Sequence, residues 1–231
     1  MLTINYENLK LNNNHHLLDL GCGEGRHILG ALHYSGNRCT GLDVCSKSLK
    51  KAEEKRHDSF PELPVEWVKG NGEALPFENN TFDRIICSEV LEHIIDYKLV
   101  LTEIFRVLKP KGIIGISVPR FLPERICWLF SKDYHNTPGG HVRIFKQKTL
   151  KQAILESGFH FINHHFAHAF HAPYWWLQCF LWKSRETSWL VKRYENWLVK
   201  DMFSFPYSTN PTEKKLNPYL GKSVVMYFQK P

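Results

Sequence analysis

The run HHLLDLGCGEG at positions 15–25 constrains the fold of this chain more than any other segment. Residues 15–20 have the length and apolar content of a short buried strand. The three glycines behind it, Gly21, Gly23 and Gly25, free the backbone to turn at positive φ and to approach a ligand closely. From Arg26 to Tyr34 the chain reads as a helix. A strand, a glycine turn and a helix in that order bring backbone N–H groups and a helix N-terminus to one point, which suits several kinds of nucleotide.

Alternation continues downstream. Residues 37–44 read as a second strand, and about 47–57 as a helix that Ser46 caps. Residues 64–70 and 82–88 supply two more strands, with the loop NGEALPFENN between them. A helix from about Tyr97 to Leu108 ends at Lys109, Pro110, Lys111 and Gly112. Residues 112–119 are the fifth strand, apolar throughout as in a sheet covered on both faces. Beyond Pro119 the rhythm breaks at Pro123, Pro138, Gly139 and Gly140. A helix over about 148–157, a strand at 159–166 and a last strand at 222–229 follow. The connection 167–220 is too long for a hairpin and is predicted to be a helical insertion, beginning near Pro173 and ending in the Pro-rich stretch 206–218. The expected architecture is α/β: a doubly wound, mostly parallel seven-stranded sheet with an aromatic-rich helical insertion near the C-terminus. One domain over 1–231 is expected, with 15–119 as the cofactor-binding core and with 120–145 and 167–220 as a cap over the acceptor.

The nicotinamide fingerprint GxGxxG/A does not fit, because counting from Gly21 and Gly23 puts its third glycine at Arg26, and an extra one stands at Gly25. An acidic residue followed by GxGxG, here Asp19, Gly21, Gly23 and Gly25, instead resembles the first motif of class I S-adenosylmethionine-dependent methyltransferases. The resemblance continues in order. Asp43 in TGLDV stands where that family places the acid that accepts both ribose hydroxyls, a task for a two-oxygen acceptor. GNGEALPF resembles the third motif and puts the contact with the adenine amino group at Asn71, where the family usually has Asp. FDRIICSEVLEHI resembles the fourth-strand motif, in which Ser88 and Glu89 border the methionine end of the cofactor. EIFRVLKPKGIIGISVP matches the helix and strand that follow. Together these motifs are most similar to the type 11 methyltransferase family, which includes quinone and other small-molecule methylases. The resemblance implies a Rossmann-like fold and S-adenosyl-L-methionine as methyl donor. It draws the cofactor site from Asp19, Gly21, Cys22, Gly23, Gly25, Asp43, Val44, Asn71, Gly72, Glu73, Ser88 and Glu89.

The reaction so implied is methyl transfer to an O-, C- or N-atom of a small-molecule or lipid-like acceptor. The alternatives are a non-catalytic cofactor-binding or protein-interaction module on the same fold and, among enzymes, a nicotinamide oxidoreductase. A sulfonium is already a good leaving group, so alignment of the acceptor behind the methyl is the main requirement. A hydroxyl or activated-carbon acceptor also needs a base, for which histidine is suited. The candidates, each set against a structural role, are His141 in PGGHVRIF, His93 in LEHI, and His171 at the entrance to the insertion. His160, His164, His165, His168 and His171 cluster in sequence, but no Cys or carboxylate stands beside them at a recognised ligand spacing. A strand with alternating exposed histidines is expected there, and no metal.

Charge and tryptophan divide the chain. Residues 1–119 carry 14 Lys/Arg against 16 Asp/Glu, 120–231 carry 16 against 7, and all tryptophans except Trp67 lie in the second part. Trp175, Trp182 and Trp189 recur every seven residues and Trp197 follows, which predicts an aromatic stripe on one helical face, with Lys183, Arg185, Lys192, Arg193 and Lys200 on others. The stripe either packs against the sheet or forms a lid that holds an apolar acceptor and leans on an anionic membrane through 175–200. A nucleic-acid partner is not expected: the basic excess is modest, and CSEV stands where amino-methylating DNA enzymes carry an NPPY-like tetrapeptide. The longest apolar runs fall short of the roughly 20 residues of a spanning helix, the start lacks a leader pattern, and six scattered cysteines form no CxxC pair. A cytoplasmic protein with reduced thiols is the resulting expectation.

Overall fold

The structure, a computed structural model, describes residues 2–137, 139–204 and 210–231. Pro138 and the start of the Pro-rich stretch expected at 206–218 lie outside the described residues. Five strands run parallel in the first half: β1 (His16–Leu20), β2 (Arg38–Asp43), β3 (Val65–Lys69), β4 (Phe82–Ser88) and β5 (Leu108–Pro119). With β6 (His160–Ala167) and β7 (Ser223–Gln229) they form one sheet in the order β3-β2-β1-β4-β5-β7-β6, and β7 is antiparallel to both neighbours. The chain winds outward from β1 to β3 and returns to β4, so the switch in direction falls between β1 and β4, where open sheets of this kind bind ligands.

Successive side chains of a strand point to opposite faces, and both faces here are buried. Leu18, Ile85, Ile114, Met226 and Phe228 pack with α3 (Tyr97–Val107) and α6 (Gln147–Glu156). Leu17, Ile86, Ile113, Val225 and Tyr227 pack with α1 (Arg26–Ser35) and with the N-terminal residues Ile4, Tyr6, Leu9 and Leu11. The N-terminal segment thus covers sheet, and the Asn5 N–H donates to the Tyr227 hydroxyl at 2.8 Å.

Three expectations need correction. Helix α2 (Ser46–Ser59) starts one residue early: Cys45 is its cap residue, and Ser46 already lies in the first turn. Strand β5 begins at Leu108 and absorbs the Lys-Pro-Lys-Gly stretch read as a helix stop, through a register shift against β4 in which Lys111 takes a φ of 63°. The tryptophan stripe does not lie on one helix. The insertion after β6 is α7 (His171–Phe180), α8 (Trp189–Ser204) and α9 (Pro211–Leu220), with turns over 181–187 between the first two. Trp175 sits in α7, Trp182 in the turns, and Trp189 and Trp197 in α8 with exposed side chains. The earlier cap segment is α4 (Phe121–Phe130) and the short α5 (Lys132–His135), and α4 packs against α7. Among the described residues no helix is long and apolar enough to cross a membrane.

Candidate functional site

Parallel strands carry their C-terminal tips to one edge, and the residues singled out for the cofactor gather there. Gly21 leaves β1 at φ 72°, and a Cβ on it would stand 2.4 Å from a Val90 methyl, so only glycine fits between the two strand ends. Gly23, at φ 54°, differs: a Cβ there would meet nothing within 4 Å, so its backbone borders open space. The Asp43 carboxylate at the tip of β2 takes the Gly23 N–H on one oxygen at 2.9 Å and the Cys45 N–H on the other at 2.8 Å. Those bonds fix its plane while each oxygen keeps further acceptor capacity.

Beneath this rim Asp19 is buried, with one carboxylate oxygen lacking any hydrogen-bond partner. Burial pushes its pKa up to about 7, the nearby Arg26 guanidinium opposes the rise, and Asp43 adds to it. Arg26 reaches across to the Ser88 hydroxyl at 3.3 Å, Ser88 meets Ser117 at 2.9 Å, and the Ser117 hydroxyl donates to Glu89 at 2.9 Å. A polar chain therefore links the first helix to the tips of β4 and β5, and Glu89 holds a φ of 58° at its end.

Other expected residues contribute differently. Cys22 is buried under the turn, with its N–H on the Leu42 carbonyl, and Val44 is exposed beside Asp43. The Asn71 side chain is engaged with Glu73, accepting its N–H at 3.0 Å and donating to its carboxylate at 3.1 Å. Gly72 is buried next to Leu20 and Val100.

The histidine candidates separate. His141 is half-buried and bonds through Nδ1 to Glu124 at 2.7 Å, while its Nε2 lies 3.9 Å from Glu92. Both carboxylates are 1 % exposed, and Glu92 has no hydrogen-bond partner on either oxygen. Burial drives the Glu92 carboxyl well above its ordinary range, and the field of Glu89 adds to that. Burial acts the same way on Glu124, but the hydrogen bond and charge of His141, with Lys222 and the Tyr134 hydroxyl, outweigh it and hold Glu124 below its ordinary value. The Tyr134 hydroxyl donates to Glu124 at 2.9 Å, and its ring stands 5.9 Å from Trp175 and 5.5 Å from Trp182. His93 is exposed, edge-on to His141, and tied to the Gly139 carbonyl at 2.9 Å. His171 turns instead toward His168 and Glu213.

The alternating histidine strand is also corrected. Only His160, His164 and His165 lie on β6; His168 and His171 fold inward beyond it, and α9 brings Glu213 beside them. Glu92 and Glu124 were not singled out from the sequence. A charged residue inside the apolar helix FLPERICWLF was the available signal for Glu124.

Comparison with known proteins follows the same outline. The model of a family described as a methyltransferase domain matches residues 18–116. A sterol 24-C-methyltransferase of Gibberella zeae is 28% identical over 161 residues, 64% of this chain and 40% of that protein. A 2-phytyl-1,4-naphtoquinone methyltransferase of Synechocystis sp. is 36% identical over 96 residues, 41% of this chain and 40% of that protein. The matched part thus spans about two fifths of either relative's length. The solved structure of the [4+2]-cyclase SpnF superimposes with a TM-score of 0.66 at 19% identity, covering 98% of this chain and 79% of that one; this likeness concerns the fold alone. The ordered motifs, the sheet order and the matched stretch agree: residues 18–116 match the methyltransferase-domain family, on the sheet order described above.

Proposed function

We propose that this protein transfers a methyl group from S-adenosylmethionine to a small, lipid-like acceptor. The observation that carries the reading is the juxtaposition, at one edge of the sheet, of a nucleotide-type rim with a buried Glu–His–Glu group under aromatic side chains. The rim fits the donor: open space borders the Gly23 backbone, Asp43 presents a fixed two-oxygen acceptor to a ribose, and the unpartnered Asp19 oxygen matches a ligand that brings donors or positive charge. Gly21, Cys22, Gly25 and Val44 shape that rim, and Asn71, Gly72 and Glu73 flank the adenine end. Ser88 and Glu89 border the methionine end. When bound, the donor supplies an electrophilic methyl on a sulfonium.

His141 is the proton acceptor in this reading. With its Nδ1–H donated to the Glu124 carboxylate, Nε2 is left as a free lone pair, and the buried carboxylate stabilises the imidazolium that forms. The proton that the acceptor oxygen or carbon gives up on methylation would pass to His141 Nε2. His93 packs against the His141 ring and positions it. His141→Asn should lower kcat by roughly 100-fold or more, as loss of a general base does, and Glu124→Gln should do so less severely. Affinity for the donor should be spared in both. Unchanged kcat in His141→Asn, measured by transfer of labelled methyl to quinone or sterol acceptors, would remove it from the chemistry.

The acceptor's lipid character rests on the cap and on relatives named for a sterol and a phytyl-naphthoquinone. A cavity of about 430 Å³ between α7 and α8 is lined by Leu177, Leu190, Tyr194 and Trp197. On the same two helices Phe180, Trp189 and Phe203 are 69, 66 and 84 % exposed, and the cations Lys183, Lys192, Arg193 and Lys200 of this segment are exposed too. Aromatic side chains interleaved with cations suit an anionic lipid surface, reached through 175–200 and the end of α8. Sedimentation with phosphatidylcholine vesicles should show binding only when phosphatidylserine is added, weakened by salt. Trp189→Glu with Phe203→Glu should abolish it at an unchanged Tm. Equal binding by the variant would contradict this face.

A further inference from the structure

We propose that His168, His171 and Glu213 form a site for one divalent transition-metal ion of the zinc type, which ties α9 to the corner between β6 and α7. One ligand atom from each of the three lies within 4.8 Å of the others, and His171 Nδ1 is 4.0 Å from a Glu213 oxygen. A tetrahedral zinc with bonds of about 2.0–2.2 Å spaces its ligand atoms by roughly 3.4 Å, so side-chain rotations of under about 1 Å close the site. Two imidazoles and a carboxylate are a zinc donor set with one position left for water.

The independent sign of a ligand is what these atoms lack. His168 and Glu213 are 4 and 3 % exposed, and Nδ1 of both His168 and His171 is buried without a hydrogen-bond partner. Such orphaned groups are rare in folded proteins and cost about 1–3 kcal/mol each. His168 Nε2 lies 3.1 Å from the Thr3 hydroxyl. With Nε2–H donated to that oxygen, Nδ1 carries the free lone pair, as in metal-binding histidines whose other nitrogen is held by an outer partner. Among the described residues, Glu213 accepts a long 3.5 Å bond from the Phe170 N–H.

The surroundings act in both directions. Burial keeps both imidazoles neutral, the ligating form, and raises the Glu213 carboxyl, a rise that a bound cation would reverse. Asp201 adds negative charge on the Glu213 side, while Lys222 and Arg26 oppose a cation. Asn217 on α9 already accepts the Ala169 N–H at 2.9 Å, so the same corner is held rigid beside the ligands. A cavity of about 700 Å³ is lined by Thr3, the partner of His168, and by Asn217.

The test is calorimetric titration of the full chain, stripped with EDTA and exchanged into buffer, with zinc chloride. One equivalent should bind and raise the Tm. His171→Gln and Glu213→Gln should each weaken it by at least the ~10–100-fold that loss of an outer partner costs. His141→Gln should leave it unchanged. X-ray absorption at the zinc edge of the loaded wild type should show imidazole and oxygen ligands without sulfur, a readout that needs no variant. Absence of stoichiometric binding would mean that the cluster holds water and would overturn the proposal. Sulfur ligation, or loss of binding in His141→Gln with retention in His171→Gln, would overturn it equally.

Discussion

Asp19 is the residue on which burial and charge conflict most directly. Its pKa in the folded chain is about 7, against an ordinary 3.8, so the folded state holds a proton that the unfolded chain has released between those values. The resulting stability is fully present below the unfolded pKa and is lost as pH rises toward 7, at up to ~1.4 kcal/mol per pH unit. Asp19→Asn removes the titration. In urea unfolding without ligand, the variant should be the more stable at pH 8, and the gap should shrink as pH falls to 5; a gap that widens would contradict the burial account. Asp19, Gly21 and Asp43 were singled out through the resemblance of their motifs, and the structure puts Gly21 in a turn at positive φ and Asp43 at the tip of β2. Glu92 and Glu124 were not legible, because Glu124 is satisfied by His141, seventeen residues further along and on another segment. The sequence pointed to His93, whose imidazole is exposed, and passed over Glu92 beside it, whose carboxylate is buried.

At the scale of elements, the sheet and its flanking helices follow the apolar periodicity closely, since the central strands bury both faces, the edge strands β3 and β6 are partly exposed, and the helices bury one face. The cap does not. Seven-residue tryptophan spacing suggested a stripe on one face of a helix or helix pair, but the KSRETS run separates the tryptophans, and the Ser188 hydroxyl accepts the Val191 N–H at the start of α8. Serine and threonine ahead of an apolar run are start signals for a new helix, and here they override the heptad. Trp182 therefore faces inward to Tyr134, with Arg185 3.7 Å above its ring, whereas Trp189 faces out. Trp182→Ala should raise the acceptor KM several-fold, in line with the ~1–3 kcal/mol of a substrate-pocket contact. Trp189→Ala should leave that KM unchanged in detergent. Steady-state kinetics with the two variants separates them, and equal effects would return the tryptophans to one surface.

Over the whole molecule, the sheet order brings residues from four strand tips and the first helix to one edge, and α4 packs against α5 and α7. That assembly rests on pairings between distant segments. It was legible only because βα alternation restricts how a chain can wind. The donor site is the central claim, and calorimetric titration with S-adenosylhomocysteine, with NADH in parallel, tests it most directly. The wild type should bind one equivalent of S-adenosylhomocysteine at micromolar Kd, about −8 kcal/mol, and should not bind NADH. Asp43→Ala should lose about 1–3 kcal/mol of that affinity, the cost of unpaired ribose hydroxyls. Binding of NADH instead, or no binding of S-adenosylhomocysteine by folded protein, would contradict the account.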